Sequence, residues 1–260
     1  MNLVPPRRYW LTGASSGIGA SLAEEILKTG AHLAVSSRTT AVLKVLSQRY
    51  PGQVLVVPGD LTNSQEVREI GEQIARQWGS LDTVILNAGT CEYVDVQQFD
   101  SSIVEHVVRT NLLASAYCIE AALPLLRKGT AAHLVGMASS VTYLPLPRAE
   151  AYGASKAGLR YLFESLRIDL APEGIDVTVV SPGFVETPLT AKNDFPMPLS
   201  WPVAKAARHI FAKLKHHPLE IAFPGLFMAV LWPLSKMPNR VKLAIGKRMV
   251  RRPPPMQDVP

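Results

Sequence analysis

Tyr152 and Lys156 stand four residues apart in Tyr152-Gly153-Ala154-Ser155-Lys156, which opens a predicted helix running to about residue 170. Four residues are about one helical turn, so the two side chains share a face. An ammonium near a phenol favours the phenolate and lowers its pKa. A tyrosine tuned in this way can give a proton to a carbonyl oxygen, or take one from an alcohol, near neutral pH. Ser139 lies thirteen residues before Tyr152, at the end of the apolar run Leu134-Val135-Gly136-Met137. Its hydroxyl can hydrogen-bond the reacting oxygen and stabilise charge developing there. Ser140 competes for that part, and the proline-rich loop Tyr143-Leu144-Pro145-Leu146-Pro147-Arg148 leaves the register between them open. The tyrosine and lysine alone equally describe two unrelated side chains on a surface helix.

A second group of residues suits a diphosphate. Thr12-Gly13-Ala14-Ser15-Ser16-Gly17-Ile18-Gly19 follows the apolar run Tyr9-Trp10-Leu11 and precedes Ala20 to Leu27, whose apolar spacing is helical. Gly13 allows a tight turn, Gly17 lets the backbone approach a phosphate, and Gly19 lets the helix pack close to the sheet. Ser15, Ser16 and Ile18 belong to the same cradle, and the free N–H groups at the helix start face the negative charge. The spacing Gly13-x-x-x-Gly17-x-Gly19 differs from the commoner G-x-G-x-x-G, and by itself a structural turn explains it.

These residues need elements to hold them. The chain has 260 residues, 47% of them hydrophobic, too apolar for disorder and enough for one large core or two small ones. Strands are predicted at 31–36, 54–57, 83–86, 134–137 and 176–180, with a seventh at 219–223 after the first at 9–11. Helices are predicted at 40–50, at 64–78 with Ser64 as its N-cap, and over the long apolar stretch 102–126 that contains Asn111. Near-continuous apolar strands alternating with helices imply an α/β fold. We expect a doubly wound, mostly parallel, seven-stranded sheet of the Rossmann type with helices on both faces. Ligands bind such a sheet at the carboxyl ends of its strands. The loops found there are Ser37-Arg38, Asp60-Leu61, Asn87-Ala88-Gly89, Ser139-Ser140 and Ser181-Pro182-Gly183.

Taken together and in this order, the motifs at 12–19, Asp60, Asn87-Ala88-Gly89, Asn111, Ser139, Tyr152 with Lys156, and Pro182-Gly183 with Thr187 resemble the short-chain dehydrogenase/reductase superfamily, over residues 7–190. The resemblance implies a single-domain oxidoreductase that moves a hydride between a nicotinamide cofactor and a carbonyl or secondary alcohol. It makes Tyr152 the general acid/base, and Lys156 both its tuner and a ligand of the nicotinamide ribose. Asn111 would mark a helix irregularity that holds a water and links Lys156 to solvent. The bland alternative is a solvent-facing asparagine. Asn87, Ala88 and Gly89 would support the sheet and the adenosine end, and Asp60 and Leu61 would flank the adenine. Pro182 and Gly183 would open the nicotinamide loop, with Val185 packed on the ring and Thr187 bonded to the carboxamide. The resemblance further implies a lid over 188–200 and a homodimer or homotetramer paired through the helices at 102–126 and 151–170. A non-catalytic NADP(H) sensor or scaffold would keep the glycine cradle but would not need Asn111, Ser139, Tyr152 and Lys156 together.

The loop after the second strand bears on the cofactor. An NAD enzyme usually carries an Asp or Glu there for the ribose 2′-hydroxyl. Here stand Ser36, Ser37 and Arg38. A guanidinium takes a 2′-phosphate through paired hydrogen bonds, so NADP(H) is preferred and NAD(H) is the alternative.

The net charge of +6 is unevenly placed: residues 205–260 hold 11 Lys and Arg against 2 Asp and Glu. The apolar run 226–234 is too short to span a bilayer and is followed by Lys236, Arg240, Lys242, Lys247, Arg248, Arg251 and Arg252. We expect residues 1–225 to form the catalytic domain and 226–260 an extension that is not a domain of its own. That extension either caps the substrate pocket or subunit interface, or contacts a membrane surface through 226–252, which would suit lipid-like ketones. Phe195, Met197 and Leu199 make an apolar substrate plausible. No motif suits a nucleic acid. Cys91 and Cys118 have no metal-ligand spacing and read as free thiols. With no apolar signal segment after Arg7-Arg8, a cytoplasmic protein is expected, peripheral at most.

Overall fold

A computed structural model describes residues 6–250. Arg251, Arg252 and the triple proline at 253–255 lie outside the described residues. The elements run β1 (Arg8–Thr12), α1 (Gly17–Leu27), β2 (His32–Ser36), α2 (Thr40–Arg49), β3 (Val54–Val56), α3 (Ser64–Trp78), β4 (Thr83–Leu86), α4 (Ser101–Val108), α5 (Ala114–Leu126), β5 (His133–Met137), α6 (Glu150–Leu170) and β6 (Asp176–Pro182). Then come the short β7 (Val185–Glu186) and β8 (Trp201–Pro202), α7 (Val203–Leu214), β9 (Glu220–Phe223), α8 (Gly225–Ser235) and α9 (Asn239–Met249).

Seven strands form one sheet in the order β3-β2-β1-β4-β5-β6-β9, and every neighbouring pair is parallel. The strands are apolar on both sides because both sides are covered. Alternate residues feed separate cores: Trp10, Val84 and Leu134 pack with Ile74, Leu125 and Phe163 from α3, α5 and α6. Leu11, Ile85 and Val135 pack with Leu22, Leu43 and Ile210 from α1, α2 and α7. This is the expected doubly wound α/β fold. The strand order reverses between β1 and β4, which opens a crevice at their carboxyl ends.

Two local expectations are corrected. The N-cap of α3 is Asn63, whose side chain accepts from the Gln65 N–H at 3.0 Å, and not Ser64. Both residue types cap well, and one residue of register separates them. The stretch 102–126 is not one regular helix: a π-helical segment, Arg109–Leu113, joins α4 to α5. Asn111 lies in it and is fully buried, so the solvent-facing alternative falls.

Candidate active site

The strand ends converge on a cleft of about 790 Å³. At one end is the turn after β1. Gly13 has φ +67° and Gly17 φ +53°, both left-handed. A Cβ on Gly13 would sit 2.8 Å from Cα of Ala88, so the β1 and β4 loops touch there. Gly19 is buried instead of lining the cleft; its Cβ would lie 2.1 Å from the Gly13 carbonyl oxygen, which presses α1 against the turn. Ser15, Ser16 and Ile18 line the cleft beside Gly13 and Gly17. Thr12 and Asn87 lock this corner. The Thr12 hydroxyl accepts from the N–H groups of Asn87 and Ala88 at 2.9 and 3.1 Å, and the Asn87 amide donates to the carbonyls of Thr12 and Gly13, both at 3.1 Å.

Ser37 and Arg38 from the β2 loop, and Asp60 and Leu61 from the β3 loop, border the same end. The Ser37 hydroxyl is spent on the Thr39 carbonyl at 2.9 Å. Arg38 is exposed, with no carboxylate beside it in sequence. Asp60 accepts from the Thr62 N–H and hydroxyl, both at 2.9 Å, and these bonds with the Arg38 charge hold its carboxyl below the usual range.

At the other end, Tyr152 and Lys156 rise from α6, and Ser139 from the end of β5. Ser139 borders the cleft and Ser140 does not. The Ser139 hydroxyl accepts from the Val141 N–H at 3.2 Å and lies near enough to the Tyr152 phenol to favour its ionised form. Lys156 is 4% exposed; it donates to the Met137 carbonyl at 2.8 Å and lies 5.9 Å from the Tyr152 ring centroid. The spacing of the two residues leads one to expect a lowered phenol pKa. Burial wins instead: it pushes Tyr152 up to about 12, against the opposing Ser139 hydroxyl, and pulls Lys156 down to about 8. The four-residue spacing reports a shared face but not its depth.

Asn111 sits behind this pair. Its amide donates to the Thr90 carbonyl at 3.0 Å and the Ser155 hydroxyl at 2.8 Å, and its oxygen accepts from the Thr90 N–H at 2.7 Å. Ser155 in turn donates to the Tyr152 carbonyl at 2.8 Å, so Asn111 ties the β4 loop to the first turn of α6. A Cβ on Gly89 would come within 3.0 Å of the Asn111 oxygen and 3.2 Å of Lys156 Nζ. Pro182, Gly183, Val185 and Thr187 line the cleft from the β6 side, and the Thr187 methyl would lie 3.3 Å from a Cβ on Gly17. The loop after β6 therefore reaches across to the glycine turn.

The sequence model of the short chain dehydrogenase family matches residues 9–196. The chain belongs to the short-chain dehydrogenase family. It is 36% identical over 211 residues to an 11-beta-hydroxysteroid dehydrogenase-like protein of Arabidopsis thaliana, covering 77% of this chain and 68% of that one. It is 31% identical to an uncharacterized oxidoreductase of Myxococcus xanthus, over 94% of this chain and 97% of the other. Among solved structures, a short-chain dehydrogenase from Streptomyces avermitilis superposes with a TM-score of 0.80 at 23% identity, over 94% and 97% of the two chains. An alcohol dehydrogenase from Thermococcus sibiricus complexed with 5-hydroxy-NADP gives 0.75 at 22% identity, over 84% and 96%.

In this short-chain dehydrogenase the loops next to the cleft pack through parts with no motif. Tyr93 donates its hydroxyl to Asn193, and Arg148 pairs with Asp194 at 3.0 Å while stacking over the Tyr93 ring at 4.9 Å. Phe195 meets Tyr93 and Phe184 edge-on, and Phe184 meets Phe227 of α8 at 5.7 Å. Segment 188–200 thus lies against the loops after β4 and β5. Behind α6, the Glu220 carboxylate of β9 accepts from Arg160 at 2.7 and 2.9 Å, from Ser181 at 2.6 Å and from Tyr143 at 2.5 Å. That cluster joins α6 to the turn after Ser139. The one hint in the sequence was Arg160, a turn beyond Lys156; its partner lies sixty residues away.

Proposed function

We propose that this chain is an NADP(H)-dependent carbonyl reductase or alcohol dehydrogenase in which Tyr152 carries the proton. The observation that supports this most is one continuous cleft with the left-handed glycine turn at one end and Tyr152, Ser139 and Lys156 lining the other. The residues fit a dinucleotide: Gly13, Ser15, Ser16 and Gly17 line the cleft at the start of α1, whose N-cap Ser16 makes no side-chain capping bond, so the free N–H groups there can face a diphosphate. The cofactor supplies or accepts the hydride when bound. Tyr152, neutral at physiological pH, holds the proton that a carbonyl oxygen needs as it becomes an alcohol. Ser139 orients that oxygen. Lys156 supplies positive charge beneath the phenol as it loses its proton, and Asn111 keeps the Lys156 pocket open beside Gly89. Arg38 favours a 2′-phosphate, with Asp60 and Leu61 at the adenine, and Thr187 and Val185 at the nicotinamide.

The aromatic cluster of Phe184, Phe195 and Phe227, which reaches the cleft wall where Phe227 packs on Gly183, and the hydroxysteroid dehydrogenase-like name of a relative favour a bulky apolar ketone or alcohol. Residues 1–225 form the catalytic unit with 188–200 as its lid, and 226–260 is an extension of it whose α8 docks through Met228 and Leu231. Leu113 is exposed on the segment between α4 and α5, and Tyr161 and Ile168 on α6, which suits a homodimer or homotetramer paired through those helices. A second reading places the reductase at a membrane surface, favoured by the uncharged outer face of α8.

Titrating NADPH and NADH into the purified chain, followed by nicotinamide fluorescence, tests the proposal. Tighter NADPH binding and NADPH-dependent reduction of apolar ketones are expected. Preference for NADH would overturn the role of Arg38. Cofactor binding without turnover on a broad carbonyl panel, with the biological effect unchanged in Tyr152→Phe, would favour the sensor.

A further inference from the structure

α8 has two apolar faces, and packing accounts for only one. On the inner face Met228 and Leu231 are buried with Leu144 of the loop after β5. Phe227 approaches Gly183 so closely that a Cβ there would stand 2.9 Å from its ring. Gly183 lines the cleft, so that face seats α8 beside the cleft wall. On the outer face Leu226 is 68% exposed, Val230 56% and Trp232 59%, and no charged residue falls between Gly225 and Ser235. α9 follows, its Ile245 packed with Met228 and Leu231, and exposes Val241, Leu243 and Met249 along with Arg240, Lys247 and Arg248. Residues 225–250 hold five Lys and Arg and no Asp or Glu. A contiguous apolar patch left in water marks a contact site.

Charge selects the occupant. A second copy meeting this face would set five cations against five, and like charges opposed across an interface are costly. An uncharged surface would leave the cations without partners. An anionic lipid surface satisfies both features: apolar side chains enter the boundary between headgroups and acyl chains, and the cations meet the headgroups. Trp232, at the water-facing edge, suits that depth. Among the described residues no helix is long and apolar enough to cross a membrane, so the contact is peripheral.

We propose that α8 and α9 seat this protein on anionic bilayers, with the cleft mouth at the lipid surface so that an apolar substrate enters from the membrane. The seating stands on the surface alone; only the entry of substrate rests on the reductase reading above.

The test is cosedimentation of the full chain with vesicles of phosphatidylcholine alone, or of equal parts phosphatidylcholine and phosphatidylglycerol. The proposal expects sedimentation with the anionic vesicles only. Trp232 fluorescence should be quenched by brominated acyl chains, and that quenching should vanish in Trp232→Phe. Arg240→Ala/Lys247→Ala/Arg248→Ala should weaken binding roughly hundredfold, and Leu226→Glu/Val230→Glu should abolish it. NADPH binding should persist in both variants, which shows that they fold. Sedimentation with neither vesicle, equal binding to both, or self-association of the chain abolished by Leu226→Glu/Val230→Glu would overturn the proposal. Tyr152→Phe should sediment like the wild type. An active enzyme that ignores vesicles would sink the seating alone, and a vesicle-bound protein without turnover would sink the reductase alone.

Discussion

At the amino ends of the strands, polar side chains close on one another. Asp82 accepts from the Arg8 N–H at 2.8 Å and the Thr130 N–H at 2.7 Å. The Arg8 guanidinium donates to Trp78 and Ser80, and that of Arg7 to Thr83 and Ala131. His133 bonds Thr178 at 2.7 Å and stacks on His217 at 4.1 Å. At the carboxyl ends the polar groups hold each other just as firmly but face open space. Asn111 and Ser155 are buried and saturated, while Ser139, Tyr152 and Lys156 front a cleft of about 790 Å³. Both ends contain buried titratable groups, so burial alone does not mark a site. What separates them is whether the bonding network closes on itself or ends at a cavity large enough for a ligand.

The contrast is broken most sharply from the carboxyl side. Tyr152→Phe removes one hydroxyl at the cavity and should cost roughly a thousandfold in NADPH-dependent carbonyl reduction. Its melting temperature and its NADPH affinity should stay near wild type. Steady-state rates beside a thermal melt and a fluorescence titration check this. A variant that kept half its activity would show that the proton comes from elsewhere.

The mirror experiment is Asp82→Ala. Two N–H groups lose a charged acceptor, worth together about 3 kcal/mol. For a chain of this length that corresponds to a fall of roughly 10 °C in melting temperature. The turnover of the protein that remains folded should not change. A loss of kcat without a loss of stability would mean that the two ends communicate, and the comparison would fail.

Much of this division could be read before any coordinates. Buried parallel strands are runs such as Thr83-Val84-Ile85-Leu86, and the glycines of the first turn and the pair Tyr152 and Lys156 stand at fixed, local spacings. What escaped reading depends on distances between remote parts of the chain. The Glu220 cluster joins residues from 143 to 220, and the Thr90 backbone that holds Asn111 lies just past the Asn87-Ala88-Gly89 motif, at a residue with no signature of its own. The direction of the Tyr152 shift depends on how deep α6 lies, which spacing does not encode. Asn63 and Ser64 differ only in register. The rim of 188–200 with α8 is built of ordinary apolar residues, whose partners become known only when the loops are placed.

Arg38→Ala sharpens the comparison within the cleft. Arg38 is exposed and its removal leaves nothing buried unpaired, so stability should not change. NADPH should bind at least tenfold more weakly, the cost of charge-assisted hydrogen bonds to a phosphate. NADH affinity should be unaltered. Fluorescence titration of both cofactors reads the ratio, and an equal loss for both would return Arg38 to the role of a general surface charge.

The smallest effect is at the closed end and appears only in acid. The Thr178 hydroxyl gives its proton to the Pro218 carbonyl at 2.5 Å, so the Nε2 of His133 must donate to Thr178. Burial together with the nearby His217 pulls the pKa of the ring from 6.5 down to about 3. Above pH 6.5 the ring is neutral whether the chain is folded or not, and it costs nothing. Below that, the unfolded chain binds a proton that the folded one refuses, so stability falls as pH drops from about 6.5 toward about 3. The loss is about 1 kcal/mol near pH 6 and steepens to ~1.4 kcal/mol per pH unit below that. In His133→Gln the amide can still donate to Thr178 but has no titration, so its urea midpoint should fall less between pH 7 and pH 5 than that of the wild type. Equal pH dependence in the two proteins would place the acid sensitivity elsewhere. An activity loss in His133→Gln at neutral pH would mean that this end of the sheet is not closed to the chemistry at the other.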